Sequence, residues 1–313
     1  MRNNTNTQVI EGRIYQHNLQ MRKVENEASE NYGKDFINGT IDVATDDAGM
    51  NILQVHYTYV TEMTKSGKTN GSYTALKRII DSGKTILTDG LENATKVRLT
   101  PSAALNDFYP QGQDQLVSTP RNEGGFVTII NELHPEADRS KFTFDALITG
   151  VNHIEADEEK NIPEDYTEIK CAIFNFRNDI LPFTLIARQP GAMKYFEDLG
   201  ASGTNPVYTK VWGKIVSKTI SIERTVESAF GDDAVDTVER RVREWVITGA
   251  AKEPYEYGNA DVLTADDVKK ALADREVMLA EVKKRSEEYY ASRGNAVAGS
   301  GNDAAVPAGG FNF

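Results

Sequence analysis

Thr167-Glu-Ile-Lys-Cys-Ala-Ile-Phe-Asn-Phe-Arg177, the turn pair Asn178-Asp179 and Leu181-Pro-Phe-Thr-Leu-Ile-Ala-Arg188 form the stretch on which the fold reading rests. Both runs are rich in β-branched and aromatic residues, alternate apolar with polar, and flank a turn signal, so they read as paired strands. Outward from them the pattern continues. Phe142 to Glu155 is a preceding strand; Ala192 to Leu199 is a short helix closed by Gly200; Val207 to Lys218 and Val238 to Ile247 are two further strands. The order β-β-β-α-β-β in about 100 residues is that of the OB-fold, a five-stranded Greek-key barrel with a helix between its third and fourth strands. An SH3-like barrel or a general sandwich is the competing fold.

A similar order occurs upstream. Ile41 and Val43 mark a strand, Asp46-Asp47-Ala48-Gly49 a turn, Asn51 to Thr61 a long strand, Tyr73 to Asp81 a helix, and Thr95 to Leu99 and Gly125 to Ile130 two more strands. Four short segments match the downstream copy in the same order, at offsets between 114 and 119: Asn51-Ile-Leu-Gln-Val with Thr167-Glu-Ile-Lys-Cys, Leu76 to Gly83 with Met193 to Gly200, Thr95-Lys-Val with Thr209-Lys-Val, and Phe126-Val with Trp245-Val. They imply a duplicated domain, the alternative being coincidental β-patterning. No third strand is visible between Met63 and Tyr73 in the first copy. The expected organisation is a mobile N-terminal arm (1–33) with a short helix near Gln20 to Ser29, barrels at 34–135 and 141–250, a C-terminal helix (264–293) and a disordered tail (294–313). Thr264 and Asp267 form the cap signature of that helix.

Composition narrows the function. No apolar run approaches the ~20 residues of a membrane span, and the N-terminus lacks an apolar signal region, so the expectation is a soluble, cytoplasmic protein without membrane contact. One cysteine, Cys171, and four scattered histidines give neither a disulfide framework nor metal-ligand spacing. Cys171, beside Ile169 on a core face, reads as packing. There is no phosphate loop, nucleophile elbow or His-Glu-x-x-His, and the acidic pairs sit at turns, where backbone chemistry favours them. A non-enzymatic binding protein with no cofactor and no metal is expected. The net charge of −12 opposes nucleic-acid binding only if taken globally, because a phosphate-tracking groove needs local positive charge.

Alternation along strands locates that charge. In Val207 to Val216 one face is Val207, Thr209, Val211, Gly213 and Ile215; the other is Tyr208, Lys210, Trp212 and Lys214. Val238, Val242 and Val246 oppose Arg241, Arg243 and Trp245. Ile169, Cys171 and Ile173 oppose Lys170, Phe174 and Phe176. Rings that stack on bases beside cations that follow phosphates are the chemistry of a single-strand groove. The alternatives are that Tyr208 and Trp212 cap the barrel, and that Phe174 and Phe176 form a second core layer. The matching surface of the first copy includes His56 and Thr58, then Lys96 and Arg98.

The duplicated barrel, these aromatic and basic strands, and a tail ending Phe311-Asn-Phe313 resemble bacteriophage and bacterial single-stranded-DNA-binding replication proteins. The resemblance implies sequence-independent binding of single-stranded DNA in replication or recombination, and docking of replication or recombination proteins through Phe311 and Phe313; self-association is left open by the sequence. Such tails are usually acidic, whereas this one carries only Asp303. A phage virion or tail component and a recombination mediator or annealing protein are the competing functions.

Overall fold

The computed structural model describes residues 4–64, 66–157, 162–226 and 234–294, with side chains described throughout except at 218–241 and 293–294. The strands are β1 (Asn6–His17), β2 (Gln20–Lys23), β3 (Asp35–Ala44), β4 (Ile52–Thr61), β5 (Lys96–Phe108), β6 (Val117–Ile129), β7 (Ser140–Ile154), β8 (Tyr166–Phe174), β9 (Ile180–Ala187), β10 (Val207–Val226) and β11 (Ala234–Ala250). The helices are α1 (Gly71–Ser82), α2 (Ile86–Asp89), α3 (Pro190–Asp198) and α4 (Ala265–Gly294).

The pairings close two circuits. In the first, β1 pairs with β3, β3 with β4, β4 in parallel with β6, β6 with β5, and β5 with β1. In the second, β7 pairs with β8, β8 with β9, β9 in parallel with β11, β11 with β10, and β10 with β7. Each has its helix, α1 or α3, between its third and fourth strands, which is the OB-fold order. The protein is therefore mainly β, with two tandem OB-like barrels and a C-terminal helix. Leu76 and Ile79 of α1 and Phe196 of α3 are buried in the barrels' common core.

The N-terminal residues correct the expectation of a mobile arm. Asn6–His17 is the first strand of the first barrel, with Ile10 and Ile14 wholly buried, and Gln20–Lys23 is a strand and not a helix. The strand has no apolar alternation in the sequence because polar Gln8 and Glu11 are buried alongside the isoleucines. Its omission moved the strand count by one. Ile52–Thr61 is thus the third strand of the first barrel, so nothing is missing before Tyr73. The match of Asn51–Val55 to Thr167–Cys171 equates a third strand with a second.

β1 also fuses the barrels. Asn6 to Ile10 pair antiparallel with Phe144 to Ser140 of β7, giving one 11-stranded sheet among the described residues. The connection 131–139 crosses this seam. Glu11, fully buried there, accepts from the Arg98 guanidinium at 2.6 Å and from the His134 backbone N–H at 2.6 Å, while its own N–H donates to the Arg139 carbonyl.

The C-terminal segment builds a second core outside the barrel. Leu263 and Ala271 cover Leu147, Ala172, Phe174, Ile180 and Tyr208. The cap at Thr264 forms as expected: Thr264 Oγ1 accepts from the Asp267 N–H, and the Asp267 carboxylate accepts from the Thr264 N–H. Further along α4, Arg275 meets Asp107 of β5 at 3.1 Å in a nearly buried ion pair, tying the helix to the first barrel's β5–β6 hairpin.

Burial pushes the Glu11 carboxyl up, but the His134 N–H, Arg98 and the His134 ring outweigh it and hold the carboxyl below its usual range. Its stabilising contribution is therefore present above the unfolded carboxylate pKa and is lost as pH falls through the lower folded value. Arg98→Met, which strands the buried carboxylate, is expected to cost about 3 kcal/mol or more. Glu11→Gln, which leaves a half-exposed arginine free to hydrate, should cost only about 1–2 kcal/mol and flatten the acid limb. Urea unfolding of both variants between neutral and acid pH measures the difference.

Candidate functional site

Alternation along β10 holds: Thr209, Val211 and Ile215 are buried, and Tyr208, Lys210, Trp212 and Lys214 lie on the opposite face. That face divides in two. At its start, Tyr208 is wholly buried under the C-terminal segment, its ring 5.1 Å from that of Tyr255 and its hydroxyl bonded to Asn4. The backbone N–H groups of Ala251 and Tyr255 donate to the carbonyls of Lys210 and Tyr208, so Lys210 sits at the edge of the cover. Beyond it the face opens. Trp212 is 39% exposed and Lys214 is exposed.

Cross-strand neighbours complete the open patch. Trp212 stands opposite Thr143 of β7 and Gly249 of β11; Lys214 stands opposite Lys141. A Cβ on Gly249 would lie 2.4 Å from Trp212 Nε1, so glycine is what lets the indole rest against β11. Directly opposed like charges normally destabilise a sheet. Here Asp138 bonds to Lys141, and Lys141, followed by His134 and Lys214, holds the Asp138 carboxyl below its ordinary range.

Several expected site residues lie elsewhere. Trp245 is core: it is 2% exposed and packs edge-on against Phe183 at 4.7 Å. It stands opposite Ile215, and directly opposed residues share a face, so the last strand is inverted relative to the valine-core reading. Arg243, on the same side but past the barrel end, is half-buried near Asp42 of the first barrel; burial lowers its pKa and Asp42 raises it. Phe174 is fully buried in the second core, whereas Phe176 is 88% exposed in the β8–β9 turn, with the Arg177 guanidinium 5.2 Å from its ring. Lys170 is exposed on β8. Lys96 donates to the Asn131 carbonyl, and Arg98 is committed to Glu11. The Arg241 side chain, Phe311 and Phe313 lie outside the described residues.

In OB barrels, oligonucleotides commonly bind across the second and third strands. In the second barrel that face is β8–β9. One end lies under the C-terminal segment; at the other, Arg188 stacks on Tyr166 at 5.1 Å and bridges Glu164 and Glu244. In the first barrel it is a polar network: Gln16 and Gln54 donate to Asp42, and Arg121 pairs with Glu123 beside His56. Cys171 is buried, its thiol pushed up to about 12 by desolvation. Among the described residues no cluster of three potential ligands could hold a metal ion, and no helix is long and apolar enough to cross a membrane.

The sequence model of the YorF family matches residues 6–285. The chain belongs to the YorF family. No curated protein matches it. Among solved structures, the wild-type single-stranded DNA binding protein from Thermus aquaticus is similar over 83% of this chain and 97% of its own, at 10% identity and a TM-score of 0.47. A deletion mutant of the same protein is similar over 82% and 98%, at 10% identity and a TM-score of 0.46.

In this YorF-family chain the patch residues missed from sequence are Lys141 and Gly249. Lys141 is legible in the sequence: it takes the outward position before Phe142, Thr143 and Phe144 in a strand that begins at Ser140, two residues before the expected Phe142. Gly249 carries no sequence signal, because its role depends on the ring across the ladder. His56 has a measurable signature. Desolvation, then Arg121 and Arg243, lower its pKa to about 4 against the opposing pull of Glu123 and Asp42. A histidine depressed in the folded state makes stability fall as pH drops from the unfolded value near 6.5 toward about 4. His56→Gln is expected to flatten that part of the stability profile, as read by urea titrations against the parent.

Proposed function

We propose that the protein binds single-stranded DNA without strong sequence preference, and that Trp212 with Lys214 and Lys141 is its principal contact. The observation that carries this reading is an indole seated against Gly249 and 39% exposed, with the cross-strand pair Lys214–Lys141 two residues along the ladder and Asp138 bonded to Lys141. A flat ring accepts any base, and ammonium groups beside it follow the phosphates. The net charge of −12 does not oppose this, since affinity depends on the cations at the contact. Lys170 and Phe176, both exposed, are accessory candidates on the second barrel.

Titration with labelled oligo(dT) tests the reading. Binding is expected to fall steeply with salt and to exceed duplex binding. Trp212→Ala should cost about 1–3 kcal/mol of affinity with little change in melting, and Lys214→Ala should reduce the salt slope by about 0.7 for one lost phosphate contact. Gly249→Ala, which displaces the indole, should weaken binding in the same direction. Trp245→Ala is the contrast, with about 3–5 kcal/mol lost from stability as a core truncation. Equal affinity of the parent and Trp212→Ala proteins would reject the site.

A further inference from the structure

Phe126 is 78% exposed on β6, among the most exposed large apolar side chains of the described residues, and neither the barrel nor the C-terminal segment covers it. Its outward aim is built. Gly125, at φ +86°, lies so close to the Thr100 carbonyl that a Cβ would come within 2.0 Å. The register between β5 and β6 shifts there, between Thr100 and Ser102. Bulges of this kind re-aim a side chain. Phe126 consequently stands opposite Thr100, its N–H bonded to the Thr100 hydroxyl.

From that rung the sheet runs without interruption to Trp212. Thr100 and Val9 each lie one residue on from the Leu99–Ile10 pair of β5 and β1. Val9 stands opposite Lys141 across the seam, and Lys141 opposite Lys214. One rung along, Thr7, Thr143 and Trp212 stand in line. Opposed residues share a face, so Phe126, Thr100, Val9, Lys141, Lys214 and Trp212 lie on one outward surface. The connection 131–139, pinned to Glu11 and Arg98, occupies the next rung and borders it. From β6 to β10 there are four strand spacings, roughly 19 Å, or about six bases at 3.4 Å each.

We infer that one single-stranded segment crosses both barrels on this surface, a base stacking on Phe126 at one end and on Trp212 at the other, with phosphates taken by Lys141 and Lys214 at the seam. The inference rests on the single-strand reading of Trp212 and adds a second platform and a path distinct from the β8–β9 face. Asp138 occupies Lys141 in the free protein, and the phosphate displaces it.

The experiment measures affinity for oligo(dT) of increasing length, from about four to about twenty nucleotides, with the parent, Phe126→Ala, Trp212→Ala and Asp138→Asn proteins. Phe126→Ala is expected to bind the shortest oligonucleotides like the parent and to lose roughly 5- to 150-fold on those longer than about six. Trp212→Ala should weaken binding at every length, and Asp138→Asn should strengthen it. Phe126 is too exposed for its removal to impair folding, and the melting temperature checks that. If Phe126→Ala binds like the parent at all lengths while Trp212→Ala is weakened, the path is overturned and the Trp212 site stands. If Trp212→Ala also binds like the parent, or the parent does not bind oligo(dT), both readings fall.

Discussion

Everything in the architecture depends on the divided edge of β1. A strand has two hydrogen-bonding edges, and a closed barrel consumes both. Here one edge faces β5 through Ile10 to Arg13, while the other is shared, Asn6 to Ile10 going to β7 and Arg13 to His17 to β3. Twelve residues are long enough for the strand to serve its own barrel with one half and the neighbouring barrel with the other. Two OB-like barrels joined this way are not beads on a linker. Their ladders are continuous, their orientation is set by backbone hydrogen bonds, and outward positions on one become neighbours of outward positions on the other. Glu11 lies where the division occurs, and its buried carboxylate fastens the connection 131–139 over the seam.

The legibility of the fold followed from the same chemistry. The second barrel reads clearly because its strands carry Ile169, Cys171, Ile173, Phe183 and Leu185 at alternate positions, all buried. The first barrel reads one strand short because β1 buries the polar Gln8 and Glu11, and Glu11 is held by Arg98 and His134 from elsewhere in the chain and not by an apolar pattern. The β5–β6 hairpin likewise extends far beyond the two short strands expected, to Phe108 and back from Val117. Pro101 and Pro120 within it suppress a strand reading although both lie in the ladder, Pro101 at the register shift and Pro120 opposite Leu105.

Site residues were harder to place than strands, for a reason that alternation cannot remove. A period of two separates faces but does not say which face is inside, nor whether the outer one is covered. On β10 the Val and Thr face is core, as its side chains suggest. On β11 Val242 and Val246 face out and Trp245 faces in, because β11 takes its inward side from the ladder with β10. Phe174 and Tyr208 do point outward from the barrel, yet segment 255–271 lies over them, so a second core replaces the open surface. Nothing local to β8 or β10 announces that cover. It comes from Leu263 and Ala271, a hundred and more residues from Leu147.

Charge pairing supplies the discrimination that periodicity lacks. Much of the surface cation is neutralised locally: Lys77 with Asp81, Lys194 with Asp198, Lys284 with Glu288 and Arg285 with Glu281, each one helical turn apart. Arg98, Arg121, Arg188 and Arg275 are held by carboxylates in or near the core. These cations cost little to place and have little left for a ligand. Lys141 and Lys214 differ because the ladder sets them side by side with Asp138 as the carboxylate that interacts with both. Such an arrangement carries like-charge repulsion across the ladder that Asp138 only partly offsets. Under the proposed single-strand reading, a polyanion whose phosphates alternate with flat, stackable rings engages both the lysine pair and the indole, whereas a simple phosphate leaves Trp212 unused.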